Sequence, residues 1–269
     1  MPLVALDVDG TLMRTDNSLS PRNAAAVAAA HDAGWRVVLA TGKPPWAVTD
    51  VVRRLRLEGP HVVANGSALW RPGQPLELLG RIGAPDVHAA LAFGAAHGIP
   101  RATSGPGGVF CEAGWRPDAV AAALAEVGEE APSLVPDAVA AEPDPWKVIL
   151  ILRDGTPHAA PPGLRTARWV RTHRNFLEAL PAGASKGAAL RELCGRLGVP
   201  QRWVAAFGDG ENDLEMLRWA GRGVAMAAAA PGVRAAADVV TAGNDDDGVA
   251  AELERLLESG WGGAAGRGV

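Results

Sequence analysis

The chain has 269 residues, 48% hydrophobic and 21% charged, enough for one large or two modest domains with a sizeable core. Its formal net charge of −4 excludes broad electrostatic binding to nucleic acid or to an anionic membrane, though not a small anion held by a few local cations. No run reaches the length of a membrane span, the start lacks a basic stretch followed by an apolar one, and Cys111 and Cys194 form no CxxC pair, so a reduced, cytoplasmic setting is expected.

Leu3–Leu6 is a short apolar run that ends at Asp7 and predicts a buried strand. Ser20-Pro21 is a helix-start signal, and the alanine-rich stretch that follows closes at Gly34. Arg36–Ala40 predicts a second buried strand, Trp46–Leu55 a helix, and Val62–Ala64 a third strand ending at Asn65-Gly66. Strands alternating with helices predict a parallel sheet covered on both faces. The style then changes, with turn residues crowding Gly105-Pro106-Gly107-Gly108, Pro132, Pro136, Pro143, Pro145 and Pro161-Pro162. Helices are expected over Ala84–His97 and Pro117–Val127, and strands over Val109–Cys111, Lys147–Leu152 and Ala167–Arg171. Gly80–Gly83 and Asn175–Gly183 read as linkers around this small α+β unit. The first style returns with a helix over Ser185–Leu197, a strand over Trp203–Phe207, a helix over Glu211–Ala220, a strand over Gly223–Met226 and a helix over Ala250–Leu257. The glycine-rich end, Ser259–Val269, is expected to fray. The simplest α/β organisation is a doubly wound, Rossmann-like parallel-sheet core in two parts, 1–81 and 175–269, with an inserted α+β cap domain at 82–174.

Asp7-Val8-Asp9-Gly10-Thr11 comes straight off the first strand, and open parallel sheets bind ligands beyond the carboxyl ends of their strands. Two carboxylates two residues apart can divide the work, one attacking phosphorus and the other passing protons. A calcium loop would need its Gly later, and a plain surface turn is the other reading. Gly208-Asp209-Gly210-Glu211-Asn212-Asp213 follows the Trp203–Phe207 strand, with Asp209 and Asp213 four apart at a helix start. Two acidic clusters on two strand ends can hold a hard cation through oxygen. Asp209 as the cap of the following helix is a compatible alternative. Thr41-Gly42-Lys43 offers a hydroxyl and backbone N–H groups as a small phosphate cradle, or else an ordinary strand-end turn; Val37 stands where a P-loop would need Gly. Lys186, one of only three lysines, sits at a helix start, where a cation opposes the helix dipole. It is either a solvated first-turn residue or the partner of an anion: a phosphate, Asp7 or Asp213.

In this order, DxDGT, Thr-Gly, Lys and GDxxND resemble the haloacid dehalogenase superfamily, and more closely its Cof-type phosphatases, with a large α/β cap between the second and third motifs. Asn65-Gly66 and Asn244-Asp245-Asp246-Asp247-Gly248 fit the same pattern. The resemblance implies a magnesium-dependent phosphatase of small phosphorylated metabolites, sugar phosphates foremost, working through an aspartyl-phosphate. It implies Asp7 as nucleophile and Asp9 as proton carrier. Asp7, the Asp9 backbone carbonyl and Asp209 would hold Mg2+. Thr41, with Gly42, and Lys186 would bind phosphoryl oxygens, Asn212 would contact phosphate or metal-bound water, and Asp213 would orient Lys186 or such a water. Lys43 departs from the pattern, which usually has Arg after Thr-Gly. A phosphotransferase or mutase using the same intermediate, and a non-catalytic metal-dependent binding module, are the competing readings. Trp115, Trp146 and Trp169 read as core, Lys147 as solvated or interfacial.

Overall fold

Local chemistry shapes the first elements of the chain. β1 (Leu3–Leu6) is four buried apolar residues, as expected of a strand covered on both faces. α1 (Pro21–Asp32) begins where the Ser20 hydroxyl accepts the Asn23 N–H, with Pro21 in the first turn. β2 (Arg36–Leu39), α2 (Pro45–Arg54) and the antiparallel hairpin of β3 (His61–Val63) and β4 (Ala68–Trp70) follow. These elements come from a computed structural model that describes residues 1–152, 161–173 and 175–262.

The chain divides into two units, 1–75 with 185–269, and 76–184. The inserted unit contains α3 (Ala84–Ala96), the hairpin β5 (Arg101–Gly105) and β6 (Gly108–Cys111), α4 (Pro117–Glu126), the short β7 (Ser133–Leu134), α5 (Ala138–Ala141), β8 (Lys147–Ile151), β9 (Ala167–His173) and β10 (Phe176–Pro181). Its sheet runs β9-β10-β8-β5-β6-β7, antiparallel except at the β6–β7 edge. Trp115 and Trp146 are buried, and the Trp146 indole N–H donates to Ser104 Oγ at 3.0 Å. Trp169 lies against Phe93 and donates to the Pro162 carbonyl. Lys147 is not solvated: it is 4% exposed and pairs with the buried Glu178 at 3.1 Å, since an ammonium kept from water needs a counter-charge.

The returning stretch supplies α6 (Lys186–Leu197), β11 (Val204–Gly208), α7 (Leu214–Trp219), β12 (Arg222–Ala225), α8 (Pro231–Arg234), β13 (Val239–Val240) and α9 (Gly248–Glu258). The all-parallel sheet runs β13-β12-β11-β1-β2. Leu6 is level with both Phe207 and Leu39, so the loops after β1, β11 and β2 leave the same end of the sheet side by side. Among the described residues no helix is long and apolar enough to cross a membrane.

Two expectations need correction. The unit boundaries lie at 75/76 and 184/185, outside 82–174, because the stretch read as a second linker contains β10, which pairs with both β9 and β8. At the other boundary the Ile82 and Gly83 N–H groups bond to the Pro145 carbonyl and Thr166 Oγ1 of the same unit. The third strand does not extend the parallel sheet: after the isolated bridge Ala40↔Val62, Ala64, Asn65 and Gly66 all take positive φ and turn the chain back into a hairpin. Of the end expected to fray, Trp261 packs on Trp35 and Trp203, and 263–269 lie outside the described residues.

Candidate active site

β1 delivers Asp7 to the carboxyl edge of the sheet, and the backbone turns at once. The Leu12 N–H reaches back to the Asp7 carbonyl at 3.3 Å and the Met13 N–H to the Val8 carbonyl at 2.9 Å, a single wide turn with Gly10 at φ +73°. Gly10 is required there twice over, by its φ and because a Cβ would collide with the Asp209 carboxylate. β11 delivers Asp209 from the neighbouring strand, and Thr11 Oγ1 donates to Asp209 Oδ1 at 2.8 Å. α6 brings in Lys186 at its first position, after the Ser185 hydroxyl accepts the Ala188 N–H.

The Lys186 ammonium lies 2.6 Å from Asp7 Oδ1 and 2.7 Å from Asp213 Oδ1, and is 1% exposed. Both carboxylates on the expected roster of anion partners are therefore engaged together. The other Asp213 oxygen accepts the backbone N–H groups of Asp209, at 3.0 Å, and Gly210, at 2.9 Å. Asp213, not Asp209, thus takes up the free N–H groups at the start of that turn, which leaves Asp209 facing the site. One carboxylate oxygen from each of Asp7, Asp209 and Asp213 lies within 4.8 Å of the others.

The electrostatics are lopsided. Burial pushes the Asp7 carboxyl up to about 7; Lys186 pulls it back and Asp209 pushes it further. Burial and the charge of Asp213 raise Asp209 to about 6. Asp213 is likewise raised to about 6 by burial, against the pull of Lys186 and with a push from Asp7. For Lys186 burial acts downward, but Asp213 and Asp7 outweigh it and hold the ammonium above its ordinary value. These directions agree with one another. The ammonium is shared by two carboxylates, whereas each carboxylate shares one ammonium with others of its own sign. The cluster is short of positive charge and its donors are oxygens, a set that fits a hard divalent cation.

The Thr41–Lys43 loop is fixed from below. Thr41 Oγ1 accepts the Lys43 N–H, the Thr41 carbonyl accepts the Asn65 N–H and the Lys43 carbonyl accepts the Ala64 N–H, each at 3.0 Å. A Cβ on Gly42 would press on the Asn65 amide, and Asn65 Oδ1 in turn accepts from Asn212 Nδ2 at 2.9 Å. Asn212 is therefore tied to the Thr41 loop through Asn65. The Asp9 carboxylate stands apart from the three-acid cluster, 3.2 Å from the Lys43 ammonium. Sequence reading did not single out Thr11, Asn65 or Glu215 as members of the site. Thr11 was inside the motif already read, and Asn65 stood in the noted Asn-Gly pair. Nothing marked Glu215, whose Oε2 accepts from the Ser185 hydroxyl and so ties α7 to the start of α6.

The parallel sheet thus carries, at one end of its strands, buried acids and a lysine, and the chain holds an inserted α+β unit. The chain belongs to the haloacid dehalogenase-like hydrolases, whose family model matches residues 4–253. It is 33% identical over 266 residues to a chloroplastic Arabidopsis thaliana protein named endoribonuclease YBEY, covering 93% of this chain and only 45% of that one. It is 27% identical over 278 residues to the Bacillus subtilis 5-amino-6-(5-phospho-D-ribitylamino)uracil phosphatase YitU, covering 95% and 97% of the two chains. A solved phosphatase structure of the same superfamily from Bacteroides thetaiotaomicron superposes with a TM-score of 0.82 at 25% identity, over 96% of this chain and 95% of that one.

Proposed function

We propose that this hydrolase is a magnesium-dependent phosphatase that cleaves phosphate monoesters of small metabolites, sugar and polyol phosphates foremost, through an aspartyl-phosphate on Asp7. The observation that carries this reading is the Lys186 ammonium held between Asp7 and Asp213, with Asp209 within reach of both. The polyol-phosphate class is supported by the ribityl phosphate named for the Bacillus relative. The two buried free cysteines are in keeping with a cytoplasmic setting.

A phosphate monoester is a dianion and repels carboxylates, so Asp7 needs charge compensation to attack it. Lys186 supplies one positive charge and lowers the cost of ionising Asp7. Asp7, Asp209 and the Asp9 backbone carbonyl would hold Mg2+, which when bound neutralises charge on the phosphoryl oxygens. Asp213 fixes Lys186, while Thr41, Gly42 and Asn212 would receive the other phosphoryl oxygens. An Asp7 oxygen bonds phosphorus as the ester P–O bond breaks, and the leaving oxygen takes a proton from Asp9. Water then bonds phosphorus and gives its proton to Asp9, and the Asp7–phosphorus bond breaks to restore the carboxylate.

The test is free phosphate released from a panel of sugar, polyol and nucleotide monophosphates with magnesium, beside EDTA and Asp7→Asn controls, with acid-quenched label sought on Asp7. Release that survives in Asp7→Asn, or persists in EDTA, would sink the proposal. Label passed to an added sugar without free phosphate would point to a phosphotransferase instead.

A further inference from the structure

We infer that Lys43 is a positioning residue for Asp9: it tethers one oxygen of that carboxylate and so aims the other at the proton it must carry. The inference rests on the reading of Asp9 as the proton carrier given above. The Lys43 ammonium is 3.2 Å from Asp9 Oδ1, and the two ends of this pair are unlike, the lysine side chain being 8% exposed and the aspartate 44%. A buried ammonium is costly unless a counter-charge meets it, and an exposed carboxylate swings among rotamers unless something holds it. The lysine is thus the anchor and the aspartate the group being anchored.

The loop beneath supports the same assignment. Lys43 is pinned through both backbone groups, its N–H to Thr41 Oγ1 and its carbonyl to the Ala64 N–H. Ala64 and Asn65 hold φ at +49° and +55°, a conformation that side-chain-bearing residues keep only where their surroundings impose it. Pro44 and Pro45 follow directly and restrict the backbone on the other side. The base of the lysine is therefore rigid, and its three donors on a flexible stem can follow a carboxylate that must gain and lose a proton.

In the first step the ester oxygen keeps the P–O bonding pair and takes the Asp9 proton while an Asp7 oxygen bonds phosphorus. The proton comes back to Asp9 from the attacking water in the second step, which frees phosphate and the Asp7 carboxylate. An aryl leaving group departs without that first proton, whereas an alkyl oxygen needs it. The assay follows from this contrast. kcat/KM is measured with magnesium for wild type, Lys43→Met and Lys43→Arg on p-nitrophenyl phosphate and on the alkyl phosphate that wild type cleaves best, with melting curves to check folding. Lys43→Met should lose about 10²-fold on the alkyl ester, the low end of what a positioned proton donor contributes, and less than about 3-fold on the aryl ester. Lys43→Arg, which keeps the charge, should recover most of the alkyl activity. Equal losses on both esters, or no loss on either, with wild type active on both, would overturn the role of Lys43 and leave the phosphatase reading standing. A wild type that cleaves neither ester would remove both.

Discussion

Asp209 lies where burial and the Asp213 charge hold its carboxyl at about 6 instead of 3.8. In the unfolded chain it ionises at the ordinary value, so between these two values the folded protein binds more protons and stability falls as pH rises. Above about pH 6 the full cost is present, about 3 kcal/mol for a rise of this size, and below about pH 4 it vanishes. Asp209→Asn removes the charge and keeps an oxygen for Thr11. With EDTA at about pH 7.5 the variant should be more stable by about 2–3 kcal/mol, a rise of about 5–10 °C in Tm, and the gain should shrink by more than half at about pH 4.5. Adding magnesium should stabilise wild type by mass action and the variant far less, and the variant should show no turnover. Circular-dichroism melting at the two pH values, with and without magnesium, reads all of this. A lower Tm for Asp209→Asn in EDTA near neutrality, or an equal gain at both pH values, would refute a raised Asp209 carboxyl.

Other changes should separate the roles of neighbouring residues. Gly66→Ala places a Cβ on the Ser185 carbonyl at a φ of +87°, and should cost more than about 3 kcal/mol or prevent soluble expression; a melt within a few degrees of wild type would contradict the packing. His61 is buried, its Nδ1 accepts the Leu39 N–H at 3.1 Å, and burial depresses it to about 4. Its neutral form is favoured in the fold, so its contribution is whole above about pH 6.5 and is lost as pH falls to about 4, a change of about 3 kcal/mol. Urea unfolding across that window should show a steeper pH dependence for wild type than for His61→Gln, and parallel slopes would refute it. Thr41→Val should lower kcat/KM by about 10²–10³ on aryl and alkyl phosphates alike, unlike Lys43→Met; a loss confined to alkyl esters would contradict a phosphate-binding role.

Much of the site was legible because its chemistry is local. Asp7 through Thr11 and Asp209 through Asp213 are short runs at strand ends, and their carboxylate spacing, glycines and preceding apolar residues are visible without any fold. The parallel core followed for the same reason, from alternation of buried strands and capped helices. What could not be read were identities of partners. Lys186 could have faced phosphate, Asp7, Asp213 or water, and only packing brought it to Asp7 across 179 positions in the chain. The pairs Lys43 with Asp9, Asn65 with Asn212 and Lys147 with Glu178 were hidden likewise. β10 reads as a linker in the sequence because a strand is defined by the neighbours it bonds to, and its neighbours lie elsewhere in the chain. Backbone propensity and charge type are properties of adjacent residues, so the order of motifs determined the family and the chemistry on offer. Which oxygen meets which ammonium is a distance through space, and it exists only once the sheet and its loops have closed.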